Sequence, residues 1–91
     1  MFDLGKMLVI FKLYAEENEQ LDEILASVKK LSSGQIEFKD GKREPIAFGL
    51  ECLKLGFLLP DKVEGILEKL EENLRKIQNV TEVEQAGMTL I

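Results

Sequence analysis

Hydrophobic and polar residues alternate along some parts of this chain and recur at helical spacing along others. The stretch 7–14 is rich in apolar and aromatic residues with one lysine-free face, which predicts a first β-strand. After it, apolar residues three and four positions apart predict a helix that Asn18 would cap and that Ser32-Ser33-Gly34 would end. The apolar positions of this helix are Leu21, Ile24, Leu25, Val28 and Leu31.

A second helix is predicted after Pro60 by the same helical spacing. Asp61 and Glu64 stand three positions apart, which is the spacing of a capping box and would place the start of the helix there. Gly65 weakens this helix by about 1 kcal/mol relative to alanine without breaking the pattern. The apolar positions of the helix are Val63, Ile66, Leu67, Leu70, Leu74 and Ile77.

Three further strands are predicted from runs of apolar residues between the helices and after them. The second strand begins at Ile36 and Phe38, the third covers 49–59 and the fourth covers 80–90. The alternation of the fourth strand is blurred by polar and glycine residues near its middle.

Two interpretations of the link between the second and third strands stay open. In one, Asp40-Gly41 forms a hairpin turn, which would place Pro45 in an edge strand. In the other, the second strand continues to about Glu44 with a bulge at Gly41, and 45–48 connect it to the third strand.

The element order βαββαβ predicts a ferredoxin-like α+β fold over 1–91 as a single domain. Such a fold has a four-stranded antiparallel sheet with two helices on one face, and 91 residues are enough for this two-layer core. In its usual strand order the first and third strands are central. The uncovered face would then be either an ordinary solvated surface or a binding surface, and its central positions are Leu8, Ile10, Lys12, Cys52 and Lys54.

The composition argues against most classes of catalytic site. The chain has no histidine, which excludes histidine-based acid–base relays and nearly every zinc or iron site. Neither a P-loop nor a GxGxxG pattern occurs. The adjacent Glu16 and Glu17 are interpreted as the acidic bias of a helix N-terminus rather than as a cation site. We therefore expect no enzymatic activity, no cofactor and no metal site.

Charge and cysteine usage narrow the expected partners and compartment. The net charge of −5, from 17 acidic and 12 basic residues, disfavours direct binding of nucleic acid. Cys52 is the single cysteine, so no intrachain disulfide can form and a reducing cytoplasm is the expected location. No apolar run approaches the roughly 20 residues of a membrane span, and the N-terminus lacks a signal-peptide pattern, so no membrane association is expected.

The stretch 43–50 is the most unusual part of the chain, because it is mostly apolar although it connects two strands. Connections normally run over the surface and are polar, so an apolar one is either buried or contacts a partner. Proline fixes its own backbone, so Pro45 would help to hold Ile46 and Phe48 rigidly at the end of the sheet. We therefore predict that Phe48 anchors an interface.

The segment Glu44-Pro45-Ile46-Ala47-Phe48-Gly49-Leu50, followed by Leu53-Lys54, resembles archaeal elongation factor 1-beta proteins. These proteins are related to the catalytic C-terminal domain of the eukaryotic factor. The resemblance implies a guanine-nucleotide exchange factor for elongation factor 1-alpha, the GTPase that carries aminoacyl-tRNA to the ribosome. Such a factor binds the GDP form, disturbs the magnesium and phosphate contacts and lets GTP replace GDP. The nucleotide-free GTPase is the second form that it binds.

The resemblance also implies which residues contact the GTPase. The first segment comprises Pro45, Ile46, Ala47, Phe48 and Gly49, and the second comprises Thr89, Leu90 and Ile91 after Met88. The second segment would reach toward the magnesium site. Family members carry a basic residue just before the last one, where this chain has Leu90. Exchange would then rely on steric displacement by Phe48 and the apolar C-terminus, or on a cation elsewhere; the candidates are Lys42, Arg43 and Lys54.

Two other classes of function stay open. A small-molecule-binding regulatory domain would use the open sheet face or a dimer interface. A dimerisation module would bury the apolar connection in a homodimer, whereas the exchange-factor interpretation favours a monomer.

Overall fold

A computed structural model describes residues 5–31 and 35–90 of the protein. Its elements are β1 (Lys6–Tyr14), α1 (Gln20–Lys29), β2 (Glu37–Pro45), β3 (Glu51–Pro60), α2 (Ile66–Arg75) and β4 (Glu82–Leu90). The predicted order βαββαβ is therefore confirmed. The predicted end of the first helix at Ser32-Ser33-Gly34 lies outside the described residues.

The strands form one antiparallel sheet in the order β2-β3-β1-β4, so β1 and β3 are central as predicted. Alternate residues of the central strands pack with buried residues of both helices in a single core, which places both helices on one face of the sheet. This arrangement confirms the ferredoxin-like α+β fold.

The core is apolar because the apolar face of the strands and the apolar faces of the helices meet on the same side of the sheet. Phe57 lies at its centre, with its ring centroid 6.4 Å from that of Phe11 and 5.6 Å from that of Phe38, both in edge-on geometry. Burial of each such side chain stabilises the fold by roughly 1.5–3 kcal/mol. The remaining buried members include Val9, Leu13, Leu21, Ile24, Val28, Leu53, Leu55, Leu59, Leu70 and Leu74.

Both predicted helix caps are wrong. The N-cap of α1 is Glu19, which makes no side-chain capping hydrogen bond, and that of α2 is Gly65 rather than Asp61. Gly65 has a φ of 82°, a left-handed conformation that glycine adopts without a steric penalty. The glycine that the spacing placed inside the second helix instead sets its start.

The hairpin turn proposed at Asp40-Gly41 is also wrong, because β2 runs through both residues to Pro45. The register with β3 shifts between Phe38 and Asp40, so the extra residue of the bulge is Lys39 rather than Gly41. Pro45 pairs at the end of this outer strand, where a missing N–H is tolerated.

A second bulge explains the blurred alternation of β4. Ile10 of β1 pairs with Gly87 and Phe11 pairs with Gln85, which leaves Ala86 as the extra residue. The third and fourth strands begin two residues later than the predicted starts of 49 and 80.

Within residues 5–31 and 35–90, no helix has both the length and the apolar character needed to cross a membrane.

Candidate partner-binding site

A tight hairpin over residues 46–50 joins β2 to β3. The backbone N–H of Leu50 donates to the Ala47 carbonyl at 2.9 Å, and that of Ile46 donates to the Leu50 carbonyl at 3.0 Å. Between them, Phe48 and Gly49 have φ values of 55° and 78°. Two successive positive values are typical of a type I′ turn, which suits the twist of the flanking strands.

Phe48 combines full exposure with a disfavoured backbone. Its relative exposure is 100%, and no other exposed large apolar side chain of the described chain is as open to solvent. A left-handed φ costs a non-glycine residue roughly 1–2 kcal/mol, and packing of the ring does not offset that cost here. Ile46 and Leu50 of the same hairpin are 47% and 42% exposed, so the tip exposes three large apolar side chains.

The side chain of Asn18 holds this hairpin from the turn that precedes α1. Its Nδ2 donates to the Gly49 carbonyl at 2.9 Å, and its Oδ1 accepts the backbone N–H of Glu51 at 2.9 Å. Sequence reasoning missed this contact because it treated Asn18 as a helix cap. The partners lie 31 and 33 residues away along the chain, and no local signal identifies them.

Arg43 fastens the base of the same hairpin to α1. One guanidinium nitrogen contacts Asp22 Oδ1 at 2.9 Å, and the other contacts Glu51 Oε1 at 3.0 Å. The hydrogen bond to Asp22, together with that to Glu51, raises the pKa of Arg43 above its usual value. This predicted candidate cation is therefore already engaged by two carboxylates within the fold.

The second predicted segment forms the end of β4. Met88 is 53% exposed and Leu90 is 68% exposed, and Thr89 between them is exposed as well. Leu90 pairs with Met7 at the start of β1. Ile91, which completes the predicted segment, lies outside the described residues.

The two segments lie at opposite ends of the sheet. The hairpin follows Pro45, beyond the level at which Leu13 pairs with Leu53, whereas Leu90 is level with Met7. The nine residues of β1 span roughly 30 Å at about 3.3 Å per residue, and the longest dimension of the molecule is 49 Å. The structure does not bring Phe48 and Leu90 together.

The family of this chain follows from its match to a known family of protein domains. Residues 8–91 match the family model described as the EF-1 guanine nucleotide exchange domain. The chain belongs to this family. The match covers all the secondary structure from early in β1 onward, including both predicted contact segments.

Relatives of this exchange-domain chain have the name Elongation factor 1-beta. The protein of Ignicoccus hospitalis is 38% identical over 85 residues, which cover 92% of this chain and 90% of that protein. The protein of Staphylothermus marinus is 35% identical, with 89% and 91% covered. The protein of Archaeoglobus fulgidus is 33% identical, with 93% and 96% covered. These relatives confirm the resemblance that the segment 44–50 indicated.

The fold of this exchange-domain chain is similar to that of a solved structure. It is the solution structure of the C-terminal domain of the MgtC protein from Mycobacterium tuberculosis, with a TM-score of 0.54. The alignment covers 94% of this chain and 92% of that one at 15% identity. At that identity the likeness concerns the fold alone.

The uncovered face of the exchange domain carries a row of lysines across three strands. Lys54 of β3 lies directly opposite both Lys12 of β1 and Lys42 of β2. Glu44 lies among them, with its carboxylate 3.0 Å from Lys12 Nζ and 4.0 Å from Lys54 Nζ. The hydrogen bond between Lys12 and Glu44 lowers the pKa of the carboxyl and raises that of the ammonium.

Beside this row, the uncovered face has a groove of about 480 Å³. Leu8, Ile10 and Leu58 supply its apolar lining around Gly56.

Cys52 belongs to the same sheet but is fully buried, and this burial raises the pKa of its thiol. Within the described residues, no group of three histidine, cysteine, aspartate or glutamate side chains is arranged to hold a metal ion.

Proposed function

We propose that this chain is a guanine-nucleotide exchange factor for elongation factor 1-alpha. Membership of the exchange-domain family and the names of the relatives support the class of function. The observation that carries the proposal is Phe48, a fully exposed aromatic ring on a strained and clamped hairpin tip. An exposed aromatic held in place at an energetic cost is suited to anchoring a partner.

Nucleotide exchange requires differential binding rather than covalent chemistry. A factor that binds the nucleotide-free GTPase more tightly than the GDP form weakens GDP binding by the same coupling free energy. The factor then needs no nucleophile or proton relay of its own. Its action depends on surfaces that fit one state of the GTPase better than the other.

In the proposed mechanism the two ends of the sheet have separate roles. Phe48, with Pro45, Ile46, Ala47 and Gly49, docks on the GTPase. At the other end the apolar Leu90, with Thr89 and Ile91, displaces groups near the magnesium and phosphate site sterically, because this chain has no basic residue at position 90. The separation of roughly 30 Å between the ends requires the GTPase to extend along the length of the sheet.

The remaining features of the proposal follow from this role. We propose a single domain over 1–91 that acts as a monomer in the cytoplasm. It would bind the GDP-bound and nucleotide-free GTPase directly, without binding nucleic acid or membrane.

The deciding experiment measures release of labelled GDP from a matched elongation factor 1-alpha. Wild type at micromolar concentration should accelerate release, and Phe48→Ala should reduce the acceleration by roughly thirtyfold at subsaturating factor, the effect of losing an interface hot spot. Gln78→Ala changes an exposed turn residue after α2 and serves as the control, which should match wild type. No acceleration by the wild-type protein would overturn the proposal.

The groove on the uncovered face is the observation that favours the second candidate, a small-molecule-binding regulatory domain. A thermal-shift screen against metabolites distinguishes the two candidates. A regulatory domain would be stabilised by a small ligand, whereas the exchange factor would be stabilised by the nucleotide-free GTPase.

A further inference from the structure

Asn18 connects the start of α1 to the hairpin tip through both ends of its side-chain amide. The Gly49 carbonyl can only accept a hydrogen bond and the Glu51 N–H can only donate one. The two partners therefore fix which amide atom faces which, and they leave one orientation of the side chain. The backbone carbonyl of Asn18 also accepts the N–H of Leu21 at 3.0 Å, which ties the turn before α1 to the start of the helix.

The hairpin tip has little else to hold it in place. Phe48 is fully exposed, and the space around Gly49 on the side where a Cβ would stand is empty to 4 Å. Besides the two contacts of Asn18, the tip has the backbone hydrogen bonds of Ile46 and Leu50. Asn18 lies outside the hairpin, and it contacts Gly49, the residue that follows Phe48 in the chain.

We infer that Asn18 is a positioning residue for Phe48, a role that rests on the proposed exchange function. By holding the Gly49 carbonyl and the Glu51 N–H, it keeps the turn in the conformation that projects the ring. A tip ordered before binding loses less conformational freedom when the partner docks, which strengthens the complex without any contact from Asn18 itself.

Asn18→Asp is the sharpest test, because it separates positioning from fold stability. The carboxylate keeps an acceptor for the Glu51 N–H but places an oxygen where the Gly49 carbonyl needs a donor. A negative charge at the start of α1 favours the helix dipole, so the fold should not be weakened. Gln78→Glu adds the same charge at an exposed turn and is the matched control.

The expected result is a change in binding rather than in the maximal rate. With Asn18→Ala, the factor concentration that gives half-maximal GDP release should rise about tenfold, the effect of losing two ordinary hydrogen bonds. Asn18→Asp loses one of the two, so it should raise this concentration roughly threefold. The rate at saturating factor should equal that of wild type, and Gln78→Glu should match wild type throughout.

A double-variant cycle shows whether Asn18 acts through Phe48. In a Phe48→Ala background, Asn18→Ala should cause little further loss of exchange, because the ring that it positions is gone. Full additivity of the two losses would overturn the inference, as would unchanged half-saturation in both Asn18 variants.

Amide hydrogen exchange tests, without the GTPase, whether the two hydrogen bonds of Asn18 order the hairpin. Asn18→Ala should lower the protection of the Glu51 and Leu50 amides at least tenfold while the amides of β1 remain protected. Unchanged protection in the hairpin would overturn the inference. If wild type failed to accelerate GDP release, the proposed function would fall, whereas this measurement would still decide whether Asn18 orders the tip.

Discussion

At the scale of single residues, Phe48 has a backbone conformation that phenylalanine disfavours. Asparagine followed by glycine is the preferred pair for a turn with two positive φ values, and the chain has phenylalanine followed by glycine there. The fold tolerates this position because the rest of the hairpin is paired and clamped. A residue with a β-carbon is strained at this φ, and the exposed ring gains no packing within the chain that would offset the strain.

Phe48→Asn should consequently increase stability while it lowers exchange activity. Relief of the strained φ should raise the free energy of unfolding by about 1 kcal/mol, and the loss of the ring should slow GDP release at subsaturating factor. Urea denaturation and the exchange assay measure the two effects on one preparation. A fall in stability would instead identify Phe48 as a residue that packs in the folded protein.

Gly49→Ala is the matched variant on the other half of the turn. Its φ of 78° strains any L side chain although the surrounding space is open, so stability should fall by about 1 kcal/mol. The opposite signs at neighbouring positions would verify the conformation of the turn.

Tyr14 provides a second prediction at the residue scale. Its hydroxyl donates to Glu84 Oε1 at 2.7 Å, and this hydrogen bond to a carboxylate raises the pKa of Tyr14 to about 12 from 10.0. The raised pKa means that the contribution to stability is complete below pH 10.0 and is lost as the pH rises through about 12.

The absorbance of tyrosinate measures this pKa directly, because Tyr14 is the single tyrosine of the chain and there is no tryptophan. Glu84→Gln should move the titration back toward 10.0. An ordinary midpoint in the wild-type protein would show that the two side chains are not hydrogen-bonded in solution.

At the scale of elements, periodicity predicted the bodies of the helices and strands but not their starts. The buried residues Leu21, Ile24 and Val28 follow the predicted helical spacing, since a buried helix face needs it. Starts depend on contacts between distant parts of the chain. Asn18 had the right side chain for a cap, but its amide bonds with the hairpin instead, and only the folded structure brings those partners together.

The candidate site was predictable to the same extent. The apolar composition of 45–49 singled out a connection that is exposed in the structure, and its contact with a partner stays a prediction. The left-handed backbone of Phe48 and the clamp by Asn18 were not predictable, because they arise from the turn geometry and from tertiary contacts.

Glu44 links the outer strand β2 to the central strands and gives a prediction at the element scale. Its hydrogen bond with Lys12 lowers the pKa of the carboxyl below the usual 4.5, so its contribution is present above that pH and is lost as the pH falls through the lowered value. Unfolding followed by urea between about pH 5 and 3 should therefore show a smaller loss of stability in Glu44→Gln than in wild type.

The control for this experiment is Glu64→Gln, at an exposed position in the turn before α2. It should retain the pH dependence of wild type. Equal slopes for wild type and Glu44→Gln would show that the lysine row does not hold this carboxylate in solution.

At the scale of the whole molecule, the distance between the ends of the sheet predicts independent effects. Phe48→Ala and Leu90→Asp alter surfaces roughly 30 Å apart, and changes so far apart usually add in free energy. Their losses in GDP release should therefore multiply in the double variant. A double variant no worse than the poorer single variant would show that both residues act at one contact.

Both bulges lie in outer strands of the sheet. Lys39 is in β2 and Ala86 is in β4. An outer strand with regular spacing offers unpaired N–H and C=O groups to the strand of another molecule, which is a route to aggregation. An extra residue twists the strand and interrupts that regular row of groups. The bulges therefore make both margins of the sheet poor templates for edge-to-edge pairing, so the exposed tip that is proposed to dock on a partner is not accompanied by a sheet edge that recruits further copies.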